Sequence, residues 1–263
     1  MNFTVDGRQA FAYTAAHALD PAKPTVVFAH GAGLDHSCFG LQSRYFGYHG
    51  RNALALDFPG HGRSAGPPLA TIPEMADWVL RLLDAAKLEK ASVVGHSMGA
   101  LVALECAARH PQRIARIALL GIAYPMKVSA AFLDAAQENR QEAYDMETIW
   151  GHAPQVPLGG NPNPGMWMYG DTLARLSRLA PGVLYSDLKA CHGYAGGEAA
   201  AANVKCPVQF ILGRRDQMTA AKAGLVFAQK VPGAEVVQIA PSGHSLMAES
   251  PDAVLDALAA FLA

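Results

Sequence analysis

The chain has 263 residues, 51% of them hydrophobic, so it is long enough and apolar enough to bury one large core. Its 21 basic and 22 acidic residues give a formal net charge of −1, and this balance argues against nucleic acid as a partner. Because no stretch approaches the length of a membrane span and the first residues lack an export signal, we expect a cytoplasmic protein without membrane insertion.

The predicted elements alternate between hydrophobic β-branched runs and segments of helical periodicity. The chain begins with a predicted hairpin that turns on Asp6 and Gly7. Near-continuous apolar runs, typical of strands buried on both faces, follow at 25–30, 52–58, 91–96, 116–122, 207–213 and 235–240. Helical spacing occurs at 72–88, 100–110, 219–231 and 251–262. The pattern predicts an α/β fold in which helices flank a mostly parallel central sheet.

Residues 124–203 break this alternation, because no convincing strand occurs among them. Helical patterns at 129–150 and 170–180 are separated by a loop rich in glycine and proline at 151–165. Since the strand pattern resumes afterwards, we interpret the segment as an inserted helical cap, or lid, and not as an independent domain. The remaining core would comprise residues 1–123 and 204–263.

The four cysteines show neither close pairing nor the spacing of metal ligands. We therefore expect thiols that take part in neither disulfides nor a metal site. They are Cys38, Cys106, Cys191 and Cys206.

Ser97 lies in the segment GHSMG, between a predicted buried strand and a predicted helix. In this context a G-x-S-x-G motif indicates a nucleophile, because a sharp turn presents the hydroxyl at the carboxyl edge of the sheet. Side chains two residues away on either side would collide with such a turn, and Gly95 and Gly99 remove them. The alternative interpretation is a serine that only caps a helix between two glycines.

A serine nucleophile needs a base and an acid. His244 lies in the loop after the last predicted strand, and Asp216 follows the preceding strand. The order Ser97, Asp216, His244 is the one that a catalytic triad takes on a sheet of this kind. Asp216 also has a structural interpretation, as a partner of Arg214 or Arg215.

Two backbone N–H groups are candidates for an oxyanion hole. The glycine-rich turn at 30–33 could aim the Ala32 N–H at a substrate oxygen, and the Met98 N–H at the start of a helix would be the second donor. We expect His30 to shape this turn as a hydrogen-bonding residue.

Five segments together resemble the α/β-hydrolase superfamily over essentially the whole chain. They are HGAG at 30–33, DFPGHGRS at 57–64, GHSMG at 95–99, GRRDQMT at 213–219 and GHSLMAESP at 243–251. The resemblance implies that the second segment supports the edge of the sheet, so structural roles follow for Asp57, Gly60, Gly62 and Ser64.

At several positions the sequence differs from the motifs of particular branches of the superfamily, and these differences indicate which branches it does not resemble. Dehalogenases and epoxide hydrolases of the superfamily resemble one another in having an aspartate as nucleophile, and this chain has Ser97 at that position. His96 and Ser245 stand where carbon–carbon bond hydrolases commonly have asparagine and tryptophan. Both observations favour other branches of the superfamily.

We therefore predict a serine hydrolase that cleaves a small carboxylic ester or lactone through an acyl-enzyme, without a metal ion or organic cofactor. Two alternatives stay open. The same triad could serve carbon–carbon bond hydrolysis or lyase chemistry, or the chain could be a hydrolase-like receptor that binds a ligand with little turnover. Neither the natural substrate nor the oligomeric state follows from the sequence.

The cap should determine substrate choice, because an insertion after the strand next to Ser97's strand projects over the carboxyl edge of the sheet. Its large apolar side chains are candidates for the pocket lining, and such a lining predicts faster cleavage of uncharged esters than of dicarboxylate analogues. The candidates are Met126, Trp150, Trp167 and Tyr169.

Overall fold

The computed structural model describes residues 1–158 and 165–263. An eight-stranded sheet runs through the molecule in the order β1-β2-β4-β3-β5-β6-β7-β8. The strands are β1 (Asn2–Val5), β2 (Arg8–Tyr13), β3 (Thr25–Ala29), β4 (Asn52–Leu56), β5 (Ala91–His96), β6 (Ile114–Leu120), β7 (Val208–Gly213) and β8 (Glu235–Ile239). β1 and β2 pair antiparallel, as do β2 and β4, whereas the other pairings of this sheet are parallel. The predicted fold class is confirmed.

The N-terminal hairpin turns where the sequence predicts. Asp6 and Gly7 both have positive φ, 52° and 73°, and Val5 pairs with Arg8 across the turn. Positive φ at both central residues is the geometry of a type I′ turn, whose twist matches that of the flanking strands.

Helices cover both faces of the sheet. Those outside 124–203 are α1 (Gly40–Tyr48), α2 (Ile72–Ala85), α3 (Met98–Arg109), α9 (Ala221–Ala228), α10 (Leu246–Glu249) and α11 (Pro251–Leu262). Val27 packs into the cluster that α2 and α3 build, while Val26 and Phe28 pack into the one that α1 and α11 build. Successive side chains of a strand point to opposite faces, so the sheet separates two cores. None of the helices described is both long and apolar enough to traverse a membrane.

Residues 124–203, called the insertion below, lie between β6 and β7 and contain helices and no strand in the part that is described. The helical pattern at 129–150 forms two helices, because the chain turns at Asn139, whose φ is 54°. The glycine- and proline-rich loop predicted at 151–165 lies partly outside the described residues. The helices are α4 (Ala130–Gln137), α5 (Gln141–Trp150), α6 (Met168–Leu176), α7 (Val183–Gly193) and α8 (Gly197–Asn203).

The start of α3 lies against the ends of β3 and β5 at backbone contact distance. A Cβ added to Gly95 would lie 2.0 Å from the Gly99 carbonyl oxygen, and one added to Gly99 would lie 2.1 Å from the Ala29 carbonyl oxygen. Since a backbone carbonyl has little freedom to move, both positions require glycine. This contact places Ser97 at the carboxyl edge of the sheet.

Candidate active site

Ser97 occupies a strained turn between β5 and α3. Its φ of 53° and ψ of −114° lie outside the regions that residues with a side chain normally adopt. The Ser97 N–H donates a hydrogen bond to the Leu120 carbonyl at 2.9 Å, which ties the turn to the end of β6. Its side chain lines a cavity. Strain of this kind costs about 1–3 kcal/mol and persists only where the surrounding structure enforces it.

His244 and Asp216 form a buried pair at the same edge of the sheet. His244 Nδ1 lies 2.7 Å from Asp216 Oδ2, and because a carboxylate only accepts, Nδ1 carries the proton. Asp216 also accepts from the Thr219 N–H at 2.7 Å and the Thr219 hydroxyl at 2.8 Å. Arg215 instead donates to Gln155 at 2.6 Å, so the geometry favours His244 over this arginine as the partner of Asp216.

The two groups shift each other's pKa in opposite directions. Burial by itself lowers the pKa of His244, but the charge of Asp216 and its hydrogen bond outweigh burial and raise that pKa above the ordinary value. Burial raises the pKa of Asp216, and His244 and Thr219 outweigh it and bring that pKa below the ordinary value. The pair therefore stabilises an imidazolium ion at His244.

Two residues that the sequence analysis did not assign hold the loop of His244. The His96 Nε2–H donates to the His244 carbonyl at 2.9 Å, and burial lowers the pKa of His96 to about 3, so His96 is neutral. Glu249 Oε2 accepts from the N–H groups of Gly243 and Ala153, each at 3.0 Å. Glu249 thus connects this loop to the insertion.

The two N–H groups predicted for an oxyanion hole lie in the turn at 30–33, at Ala32, and at the start of α3, at Met98. Ala32 lines the same cavity as Ser97, and no described residue accepts a hydrogen bond from the N–H of Ala32 or Met98. His30 fits the structural role expected of it, since its Nδ1–H donates to the Gly31 carbonyl at 2.8 Å and its Nε2 accepts from the Phe58 N–H at 3.1 Å.

A buried ion pair connects the insertion to this turn. Asp187, on α7, accepts from the Gly33 N–H at 2.9 Å and from His61 Nε2 at 2.8 Å. The other ring nitrogen of His61 faces the Pro59 carbonyl at 3.1 Å, so both nitrogens donate and His61 is a cation. Burial lowers the pKa of His61, but Asp187 outweighs it and raises that pKa.

The cavity that contains Ser97 has a volume of about 320 Å³, within the range of small-molecule sites. It lies between the carboxyl edge of the sheet and the insertion. The lining residues are Ala32, Ser97, Met126, Lys127, Val128, Ser129, Phe132, Glu147, Trp150, Leu188, Cys191, Gln217, Met218 and Thr219. A larger cavity of about 390 Å³ lies beside α1 and α6. Ser97 does not line this larger cavity, so the smaller one, which Ser97 does line, is the candidate site.

Met126 and Trp150 line this cavity, whereas Trp167 and Tyr169 do not. The prediction for the latter two is therefore wrong. Trp167 precedes α6, is 75% exposed and lies over Gly170 of its own helix, and the ring of Tyr169 packs on His152 with centroids 5.0 Å apart. A count of aromatic residues in the insertion does not reveal which of them face Ser97.

Asp35, His36 and Asp57 form a cluster in the described part of the chain. One potential metal-ligand atom of each lies within 4.8 Å of the other two, close enough to hold a metal ion. Their atoms are already engaged in the fold. Asp57 accepts from the His36 Nδ1–H at 2.8 Å and from the Arg63 N–H at 2.8 Å, and Asp35 accepts from the Ser37 N–H at 2.9 Å. These bonds explain the cluster as a support for two loops, as the sequence predicts for Asp57.

Comparison with known proteins gives consistent matches. The model of a family described as the alpha/beta hydrolase family matches residues 26–257. A pimeloyl-[acyl-carrier protein] methyl ester esterase of Chromobacterium violaceum is 28% identical over 248 residues, covering 84% of this chain and 87% of that protein. An (E)-2-((N-methylformamido)methylene)succinate hydrolase of Acinetobacter baylyi is 23% identical over 243 residues, covering 90% of this chain and 89% of that protein.

Solved structures show the same architecture. The crystal structure of the enol-lactonase from Burkholderia xenovorans matches with a TM-score of 0.86 and 23% identity, covering 100% of this chain and 99% of that chain. At that identity the likeness concerns the fold.

Asp187→Asn tests the ion pair beneath the turn at 30–33. We expect the substitution to lower the free energy of unfolding by about 3 kcal/mol, because it leaves buried His61 without its counter-charge. The pKa of His61 is higher in the folded protein than in the unfolded chain, where it is about 6.5. Protonation of His61 therefore contributes its full stabilisation below about pH 6.5, and this contribution is lost as pH rises through the folded pKa. The difference from the wild type should therefore be larger at about pH 5.5 than at about pH 8.5 in urea unfolding.

Asp84→Asn is the matched control, since Asp84 pairs with Arg113 at 2.6 Å on the surface with 61% of its side chain exposed. It should lower the free energy of unfolding by less than about 1 kcal/mol. A difference between Asp187→Asn and the wild type that does not change with pH would contradict the charged state of His61.

Proposed function

This chain belongs to the alpha/beta hydrolase family, and on that premise we propose that it is a serine hydrolase that cleaves a small carboxylic ester or lactone. The observation that carries the proposal is the hydrogen-bonded pair of His244 and Asp216 together with the strained turn of Ser97, whose neighbour His96 packs its ring on His244 with centroids 4.6 Å apart. A relative named as a methyl ester esterase, 28% identical to this chain, supports an ester as the bond that is cleaved.

In the proposed mechanism the Ser97 hydroxyl attacks the carbonyl carbon of the substrate while His244 Nε2 takes the hydroxyl proton. The 2.7 Å bond from Nδ1–H to Asp216 keeps His244 in the tautomer whose Nε2 is free to accept. As the imidazolium forms, Asp216 stabilises its positive charge. The raised pKa of His244 favours this proton transfer.

The attack turns the carbonyl oxygen into an oxyanion, and the N–H groups of Ala32 and Met98 would donate to it. Both donors are backbone groups whose N–H donates a hydrogen bond to no described residue. The start of α3 adds the positive end of a helix dipole. Asp187 holds the neighbouring Gly33 N–H, so the turn requires little rearrangement when the charge develops.

Collapse of the tetrahedral intermediate breaks the bond to the alcohol oxygen, and the His244 imidazolium donates its proton to that oxygen. An acyl-Ser97 ester remains. Water then attacks it with His244 again as the base, which releases the acid and restores the serine hydroxyl. For a lactone substrate, acid and alcohol leave as one hydroxy acid.

Ser97→Ala should lower kcat/KM on p-nitrophenyl butyrate by about 10⁴-fold or more, because covalent catalysis is lost. Circular dichroism and the melting temperature should stay close to those of the wild type. A fluorophosphonate probe should label the wild type and not the variant. Ser177→Ala is the control, since Ser177 follows α6 and, among the described residues, its hydroxyl donates only to the Ala174 carbonyl of that helix, at 3.2 Å. Equal turnover by Ser97→Ala and the wild type would contradict the proposed nucleophile.

Asp216→Asn should lower kcat by about 10⁴-fold with a smaller change in KM, as in the serine-protease triad. In the wild type, kcat/KM should fall as pH drops below the raised pKa of His244. Because the carboxylate no longer stabilises the imidazolium, the variant's acid limb should move to lower pH. Asp252→Asn, at an exposed position in α11, is the control. An acid limb that does not move would show that another group titrates.

Trp150→Ala should shift the preferred acyl or alcohol chain length upward, because Trp150 lines the cavity and packs edge-on against Phe132 with ring centroids 5.8 Å apart. The shift should exceed any loss on the shortest ester. Trp167→Ala is the matched control and should leave chain-length preference unchanged, since Trp167 lies outside the cavity. Steady-state kinetics on p-nitrophenyl esters of increasing length measure both variants. Loss of activity by one common factor on every ester would show that Trp150 is structural.

A further inference from the structure

Glu147 is the acidic residue among those that line the cavity containing Ser97. It lies on α5 of the insertion and is 7% exposed. Its Oε2 atom is fully buried and receives no hydrogen bond from any residue that the structure describes. An unpartnered carboxyl oxygen is thus buried at the wall of a cavity large enough for a small substrate.

At two other buried carboxyl groups near the site, Asp187 and Glu249, one oxygen also has no described partner, but the second oxygen holds the fold together. Asp187 accepts from Gly33 and His61, and Glu249 accepts from the N–H groups of Gly243 and Ala153. Glu147 has no comparable bond within the described residues. A buried polar group without a partner costs stability, and a leucine would fill the same space without that cost. The position therefore has the character of a binding residue whose partner arrives with the ligand.

The electrostatic surroundings limit what that partner can be. Burial raises the pKa of Glu147 to about 7, the charge of His244 opposes this, and Asp187 adds to it. The ammonium group of Lys127, the cation that lines the cavity, donates a hydrogen bond to the His192 carbonyl at 2.9 Å. An anionic substrate group would meet a carboxyl that is partly ionised near neutral pH.

The cavity wall also contains apolar side chains, among them Met126, Phe132 and Trp150. Such a wall favours a ligand that is mostly hydrocarbon with a small number of polar groups. A full positive charge on the ligand would lose its hydration there, and an ion pair with Glu147 regains that loss only in part. A neutral donor carries a much smaller desolvation cost.

We propose that Glu147 is a specificity-determining residue of this site and that it binds a neutral hydrogen-bond donor, a hydroxyl or amide N–H, on the ester or lactone that Ser97 attacks. The inference rests on the proposed function and adds the substrate class to it: an uncharged, mainly hydrocarbon ester or lactone that carries a hydroxyl or amide group away from the scissile bond.

The test compares ethyl esters of ω-hydroxyalkanoic acids, of N-acetyl-ω-aminoalkanoic acids and of ω-ammonioalkanoic acids with ethyl alkanoates of matched length. Butyrate monoesters of diols, compared with alkyl butyrates, probe the alcohol side. In the wild type, kcat/KM should be about 10- to 100-fold higher for the best hydroxyl- or amide-bearing ester than for its alkyl counterpart, the range expected for a hydrogen bond to a charged or partly charged group.

Glu147→Leu should abolish this preference, whereas Glu147→Gln should retain most of it, because the amide oxygen still accepts a hydrogen bond. Glu147→Leu should also raise the melting temperature by a few degrees, since an unpartnered buried carboxyl is removed. Glu142→Leu is the matched control on the exposed side of α5 and should leave the preference unchanged.

The outcomes separate this proposal from the assignment of Ser97. If a fluorophosphonate labels the wild type but the ratio of the two rates is the same in Glu147→Leu, only the role of Glu147 is overturned. A melting temperature that falls in Glu147→Leu would show a structural carboxyl and overturn it as well. Preference for the ω-ammonio ester, lost in Glu147→Gln, would show a cationic ligand instead of a neutral one. If the wild type neither reacts with the probe nor cleaves any ester, the proposed function fails and this inference with it.

Discussion

The candidate site depends on how closely the first turn of α3 approaches the ends of β3 and β5. A side-chain carbon at Gly99 would lie 2.1 Å from the Ala29 carbonyl oxygen, which leaves no room for any residue but glycine. Because the helix lies so close, the chain has to reverse direction within the single residue Ser97, which takes a positive φ. Its side chain and the free N–H groups of α3 consequently meet at one edge of the sheet.

Two catalytic candidates follow strands of that sheet directly, and for this reason the sequence alone predicts them. Asp216 and His244 each lie a few residues beyond a nearly continuous apolar strand, and parallel strands end at one edge, so their proximity follows from the strand pattern. Their catalytic roles stay predictions, whereas the 2.7 Å between their side chains is observed. The N-terminal hairpin is also predictable from the sequence, because a two-residue Asp-Gly turn fixes the register of the two strands that it connects.

The polar groups of the insertion could not be predicted in this way. Asp187 meets Gly33 across 154 positions and His61 across 126, and neither pairing leaves a short motif in the sequence. Glu147 lies on a helix with other acidic residues, and only its burial against Ser97's cavity distinguishes it. The same holds for aromatic residues. Trp150 and Trp167 are both tryptophans of the insertion, and only their packing shows that Trp150 lines the cavity and Trp167 does not. Long-range contacts depend on how the inserted helices sit on the sheet, and local pattern contains no information about this.

The bond from the Gly33 N–H to Asp187 also limits how this architecture can be recombined. The insertion supplies an acceptor to the turn beside Ala32, and the same carboxylate neutralises His61 in the core. A chimaera that takes its helices 130–203 from another relative would inherit a buried cation and an unpaired backbone donor unless the graft brings an acid to this point. The insertion and the core are therefore separate in sequence but cannot be exchanged independently, and a successful transplant has to treat His61 and Asp187 as one unit.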